Sequence, residues 1–234
     1  MIQKLILTSV ALAVLTTGLY AGPIALANPN FDADATNTFL LGTLSGWSTN
    51  SQEYGVWNTT SSMGVTQALA PMSVTNVLYL GAIPDGQGGR LDGAVMQTTP
   101  VSVTTGGTYT FSIYAASRKD TIQPVAFSLE LFAGAGNAFA VQNFTASSLS
   151  SSSWTLYTVT GVAPGNAAGN IGVRVALNST GLILPGSTNP DLNKFQVLFE
   201  NAGLTGPDAV AEPACSRPAP APPPEVRAAP RARP

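Results

Sequence analysis

The chain has 234 residues, 44% hydrophobic and 9% charged with a formal net charge of −2, which suits one globular domain plus accessory segments and excludes the basic footprint of a nucleic-acid binder. Histidine is absent, and this removes Ser-His-Asp and Cys-His nucleophile systems, imidazole acid/base catalysis and the commonest zinc ligand. The single cysteine, Cys215, lies near the C-terminus, so no disulfide braces the domain from within.

The first element is a targeting segment. Lys4 supplies a positive charge, Leu5 to Tyr20 is apolar with little interruption, and Ala25-Leu26-Ala27 places small residues where a signal peptidase reads them. A signal peptide over 1–27, cut after Ala27, is expected; Gly22-Pro23 breaks the run and argues against a spanning helix. Export without disulfides suits a bacterium, so the expected location is periplasmic, extracellular or on the surface of a Gram-negative-type cell.

From Asn28 to about Thr205 helical periodicity is almost missing, and short β-branched and aromatic runs alternate with Gly, Asn, Ser and Pro clusters. Weaker strands are expected over Tyr54–Asn58, Val74–Ile83 and Val95–Val103. A strong one follows at Thr108–Tyr114, with Tyr109, Phe111 and Ile113 on one face and Thr110, Ser112 and Tyr114 on the other. Val125–Leu131 repeats the pattern, Ala138–Phe144 and Trp154–Val162 are weaker, and Ile171, Val173, Val175 and Leu177 oppose Gly172, Arg174 and Ala176. Phe195–Leu204 closes the series. One-sided alternation argues for antiparallel sheets, because covered parallel sheets read as continuous apolar runs. The expected fold is all-β: an antiparallel two-sheet β-sandwich or jelly roll over 28–205. Residues 206–234 are nearly all Pro, Ala, Arg, Asp or Glu and are expected to form a disordered tail.

Several motifs carry a family resemblance. Asn28-Pro-Asn-Phe-Asp32, Gly46-Trp47, Gly55-Val-Trp-Asn58, Gln97-Thr98, Gly107-Thr-Tyr-Thr-Phe111 and Phe199-Glu-Asn-Ala-Gly-Leu204 resemble, in that order, the secreted PEP-CTERM (exosortase-sorted) bacterial proteins. Their ectodomain is similar to the galactose-binding-like jelly roll of carbohydrate-binding modules. Ala209-Val-Ala-Glu-Pro-Ala214 resembles the Val-Pro-Glu-Pro sorting signal, but no apolar helix and Arg cluster follow, which implies an anchor altered or missing and no stable membrane retention as written. The alternatives are a frameshifted end or a genuine Pro-rich tail.

In related jelly rolls a calcium ion joins the acid of the first strand to the acid of the last. The resemblance places these ligands at Asp32 and Glu200, and calcium's demand for six to eight oxygens fits them; the alternative is a pair of solvated strand-end acids. Asp85-Gly-Gln-Gly-Gly-Arg-Leu-Asp92-Gly lacks the Gly-Lys-Ser/Thr ending of a phosphate cradle and reads as a hairpin loop.

For a ligand, the outward-facing side chains of half-buried strands matter. Tyr114, Glu130 and Arg174 on one concave sheet would offer a stacking ring and polar groups to a saccharide or other small molecule, with Trp57 and Tyr54 as a platform at the rim. Trp57 can instead be core, and Glu130–Arg174 a cross-strand ion pair. With no histidine and no paired acids, the expected role is a secreted or cell-surface, non-catalytic, saccharide-binding, calcium-stabilised module. The runner-up is a calcium-dependent cyclase or lyase. A family of such cyclases from cyanobacterial indole-alkaloid pathways looks similar in its Gly-x-Trp-Asn and terminal-strand motifs, and its catalytic carboxylate falls by position on Glu200 or Asp191.

Overall fold

The computed structural model describes residues 21–34, 39–58, 76–84, 90–118, 124–135, 137–179 and 195–207. Thirteen strands are present among them: β1 (Ala21–Ile24), β2 (Phe39–Leu41), β3 (Ser48–Thr49), β4 (Glu53–Asn58), β5 (Asn76–Pro84), β6 (Arg90–Leu91), β7 (Ala94–Ser102), β8 (Thr108–Ala116), β9 (Ala126–Ala133), β10 (Ala138–Phe144), β11 (Thr155–Val162), β12 (Asn170–Asn178) and β13 (Phe195–Pro207). They form two antiparallel sheets. The larger runs β11-β8-β13-β5-β4-β2, with β1 also on β13 and β6 on β5; the smaller runs β10-β9-β12-β7-β3.

The alternation of each long strand decides which side chains enter the space between the sheets. β8 contributes Tyr109, Phe111, Ile113 and Ala115, and β13 contributes Phe195, Val197, Phe199 and Leu204 from the larger sheet. β9 and β12 answer with Phe127, Leu129, Leu131, Ile171, Val173, Val175 and Leu177. Phe127 stands at the centre, its ring 5.1 Å from Phe144, 5.1 Å from Tyr157 and 5.2 Å from Phe199, the last two edge-on. Such edge-to-face pairs add to the burial of apolar area. Trp47 is buried against Phe31 at 5.7 Å and belongs to the core.

The two-sheet antiparallel sandwich read from the sequence is the observed architecture, and the nine expected strands appear within a few residues of their expected bounds. Its limits differ from 28–205. β1 pairs with the end of β13, Ala21 opposite Pro207 through Ile24 opposite Leu204, so the sheet begins upstream of Asn28 and ends beyond Thr205. The reason for missing it is local: four residues containing Gly22-Pro23 carry no alternation, and a proline is admissible because β1 lies off the main strand path, paired among the described residues with β13 alone. Residues 208–234, including Cys215, lie outside those described.

Phe127→Ala removes the ring at the centre of the sandwich. It is expected to cost about 3–5 kcal/mol of unfolding free energy, as large-to-small core substitutions of aromatics do, and denaturant unfolding of the wild-type and variant chains measures the difference.

Candidate functional site

The larger sheet buries side chains on its outer face as well as its inner one. Register sets Trp57 opposite Val77, Tyr79 opposite Leu198, and Leu198 opposite Ala116, and these five form a second apolar cluster separate from the sandwich core, with Trp154 packed against it. Two residues further along the same strands, Glu53 lies opposite Gly81 and Gly81 opposite Gln196. Small residues make room there: a Cβ at Gly81 would lie 2.9 Å from the Cγ and Cδ of Glu53, so the glutamate lies across the space that a side chain would fill.

A polar chain runs through this apolar surround. Arg118 Nη1 donates to Gln196 Oε1 at 2.6 Å, and Gln196 Nε2 donates to Glu53 Oε1 at 2.5 Å. The Arg118 guanidinium also stands 4.6 Å from the centroid of the Trp57 ring, in cation–π geometry. The Tyr79 hydroxyl donates to the Tyr54 carbonyl at 2.8 Å. Burial, followed by the nearby Glu53 and Tyr54, pushes the Tyr79 phenol above its usual range against the opposing pull of Arg118, so Tyr79 stays neutral. Glu53 Oε2 is buried and has no hydrogen-bond partner. Leaving such an atom unpaired in an apolar setting is costly unless something meets it.

A second acidic site lies further along β13. Glu200, opposite Tyr114 on β8, is fully buried, and both its carboxylate oxygens lack a hydrogen-bond partner. Burial first, and then the charge of Asp32, raises its carboxyl to about 9. Asp32 reaches this region because the N-terminal segment folds tightly: Asn28 and Phe31 have φ of 45° and 58°, and Ala202 N–H donates to the Pro29 carbonyl at 2.9 Å. Asp34 fastens the same segment by accepting from the Ser45 amide and hydroxyl, each at 2.6 Å. Asn201, next to Glu200, is also left-handed, with φ of 50°. Left-handed backbone at three non-glycine residues in one small region is a sign of constraint there.

The residues proposed from sequence therefore divide. Asp32 lies near enough for its charge to act on the Glu200 carboxyl. Tyr114, Glu130 and Arg174 do not share a sheet: Tyr114 belongs to the larger, whereas Glu130 on β9 lies opposite Arg174 on β12 in the smaller. Glu130 is buried and saturated, accepting from Ser128 Oγ at 3.2 Å, from Arg174 Nε at 2.9 Å and from Arg174 Nη2. It is the cross-strand ion pair that was the alternative reading. Trp57 is buried under Arg118 and offers no rim platform, and the Tyr54 hydroxyl is used in donating to the Gly42 carbonyl at 2.9 Å. The reason is that alternation assigns a side chain to a face of its own strand and carries no information about which sheet the strand joins. A cavity of about 590 Å³ does open on the smaller sheet beside Arg174, lined by Met96, Thr98, Phe132 and Asn137 among others.

Glu53, Gln196 and Arg118 were missed by sequence reasoning. They stand 78 and 143 positions apart along their two hydrogen bonds, so no local motif joins them. The usable signal was a polar residue at each alternate outward position of an apolar strand, as at Gln196 and Glu200. Among the described residues no three His, Cys, Asp or Glu side chains gather as a metal cluster, and Asp191 lies outside those residues.

The sequence profile of the HpiC1-like family, described as HpiC1 cyclase, matches residues 22–205. No curated protein matches the chain. Among solved structures, the Stig cyclase Fisc from Fischerella sp. TAU, in complex with (3Z)-3-(1-methyl-2-pyrrolidinylidene)-3H-indole, superposes with a TM-score of 0.60 at 19% identity, covering 80% of this chain and 98% of that one. A cyclase from Fischerella sp. TAU in complex with 4-(1H-indol-3-yl)butan-2-one gives 0.57 at 19% identity over the same shares of the two chains. The arabinose-bound α-L-arabinofuranosidase MgGH51 gives 0.52 at 18% identity, covering 82% of this chain and 27% of that chain. These likenesses bear on the fold, whereas the family match bears on function and overturns the non-catalytic, saccharide-binding module expected from composition. Missing histidines removed one kind of acid/base chemistry, but a buried carboxyl can move protons without them. A profile spanning residues 22–205, over a sandwich that buries an aromatic and carboxylate face, places the chain in the HpiC1-like cyclase family.

Proposed function

We propose that the chain cyclises a small aromatic substrate of the indole class on the outer face of the larger sheet, with Glu53 as the proton-transferring group. The observation that carries this reading is the buried Glu53 Oε2, partnerless among the described residues, beside Tyr79 and on the sheet face that also carries the apolar cluster of Trp57, Leu198 and Trp154. A carboxylate oxygen there can accept the N–H of an indole or exchange a proton with the reacting skeleton, and the aromatic faces can stack on a planar ligand. Electron-rich rings also stabilise positive charge that develops during a proton-initiated ring closure. Gln196 holds Glu53 Oε1, Arg118 holds Gln196, and the carboxyl is thereby fixed in orientation with its other oxygen left available. The indole ligands of the Fischerella structures support the substrate class.

Calcium belongs to the same proposal. Asp32 and Glu200 fit a divalent cation, since an acid with both oxygens buried and unpaired beside a second acid is the donor chemistry that calcium completes with further oxygens. Asp32 and Glu200 would hold the ion, whose charge would offset theirs at the junction of the N-terminal segment and β13. Export is retained in the reading on the strength of the charged and apolar N-terminal run and of the sorting-signal resemblance at 209–214, the PEP-CTERM feature.

Glu53→Gln is expected to lower kcat by about 10²–10⁴-fold, the usual worth of a positioned acid/base group, in assays with an indole bearing an unsaturated side chain. Binding of 4-(1H-indol-3-yl)butan-2-one, followed by tryptophan fluorescence, should persist in that variant; undiminished turnover would end the proposal. Gly81→Ala, which crowds Glu53 without touching the aromatic cluster, is expected to reduce kcat while leaving the melting transition cooperative.

The acidic pair gives a pH-dependent outcome. Without a cation, the folded chain keeps the Glu200 proton between the ordinary value of 4.5 and about 9, whereas the unfolded chain releases it, so stability falls as pH rises through that window. In chelator, the melting midpoint is expected to drop from pH 5 to pH 8.5, and Glu200→Gln should remove most of the drop. Millimolar calcium should also flatten it and release a proton on binding; a slope unchanged by calcium would exclude the ion from this pair.

A further inference from the structure

The fold holds residues that the Ala25-Leu26-Ala27 processing pattern would discard. β1 makes four residue pairs with the end of β13, and Ile24 is buried in the sandwich core. Complementarity is built into the partner strand: a Cβ at Gly206 would meet the Tyr109 ring at 2.6 Å and Ile24 Cδ1 at 2.7 Å, so a bare backbone is required where β1 lies down. Ala27 is gripped at both ends of its peptide unit by one side chain. Its amide donates to Gln97 Oε1 at 2.7 Å, and Gln97 Nε2 donates to its carbonyl at 3.0 Å and to the Gly46 carbonyl at 2.7 Å. Gln97 is buried, so loss of Ala27 would leave part of a buried amide unpaired.

From this we propose that a leader peptidase cuts this chain between Ala21 and Gly22, and that the mature protein begins at Gly22 and keeps three of the four β1 residue pairs. In the step, water hydrolyses one peptide bond: Ala21 leaves as the leader's carboxylate, and Gly22 keeps the nitrogen as a new α-amino group. The sequence accommodates the cut. The apolar run Leu5–Tyr20 ends directly before Ala21, which supplies the small residue at the cleaved bond, with Leu19 in place of a second small residue two positions before it. Cleavage there keeps Ile24 in the core and both hydrogen bonds between Ala27 and Gln97; cleavage after Ala27 removes every one of these contacts. The inference is independent of the cyclase reading, because it concerns the sandwich and not the outer-face site.

The test is export of the full chain from a bacterial host, followed by intact-mass measurement and N-terminal sequencing. A mature terminus at Gly22 is expected; a terminus at Asn28, or an unprocessed Met1 chain, overturns the proposal. Two full-length variants give a second readout that does not depend on stability. Ala21→Leu should abolish or move the cut, and Ala27→Leu should leave Gly22 as the terminus; the reverse pattern would place the processing site at Ala27 after all.

Discussion

Strand β13 is the constraint on which the other features depend. Its first residues lie between β5 and β8, and its last lie between β8 and β1, so one extended segment of 13 residues sits inside the larger sheet along its whole length. Phe195, Val197, Phe199 and Leu204 turn inward and meet Phe127 and its neighbours from the opposite sheet. Gln196, Leu198 and Glu200 turn outward by the same alternation. Core and candidate site are thus two faces of one strand, and a slip of a single residue would exchange them.

The outer face departs from ordinary sheet economy. A side chain on the solvent side of a sandwich is normally polar and exposed, whereas here Trp57, Val77, Tyr79, Ala116 and Leu198 are all buried. Within that surround, polar groups must be paired or costly. Arg118 Nη1, Gln196 and one oxygen of Glu53 are joined in a chain of hydrogen bonds that does not reach the second oxygen. Glu200 presents the same problem in stronger form, with both oxygens unpaired and Asp32 adding a repelling charge. Local departures of this kind gather where a protein meets its ligands, because preorganised polar groups in a dry site act more strongly than they would in water.

Function was misread from composition for a physical reason. The absence of histidine argues against imidazole chemistry alone, whereas proton transfer needs only a group positioned and shielded, which a buried carboxyl can supply. The saccharide platform assembled from Tyr114, Glu130, Arg174, Trp57 and Tyr54 failed because the five belong to two sheets and three separate surroundings. The charge of Asp32 acts on Glu200 for a tertiary reason: the segment around Asn28 and Phe31, left-handed at both, is held to β13 by the Ala202–Pro29 hydrogen bond.

Strand identity was legible in the order of residues alone, since period-two alternation of β-branched and aromatic side chains is a local property and marks Thr108–Tyr114, Val125–Leu131 and Ile171–Leu177 without reference to anything distant. So was the one-sided burial that makes the sheets antiparallel. The short, Gly- and Pro-containing β1 was not, because its only evidence is a partner strand about 180 positions away. Pairing decided the rest: which strands share a sheet, which of Phe195–Glu200 face the core, and which carboxylate oxygens are buried. Alternation orders neighbours along a strand, but contact between Glu53, Gln196 and Arg118 exists only once strands far apart in the chain lie side by side.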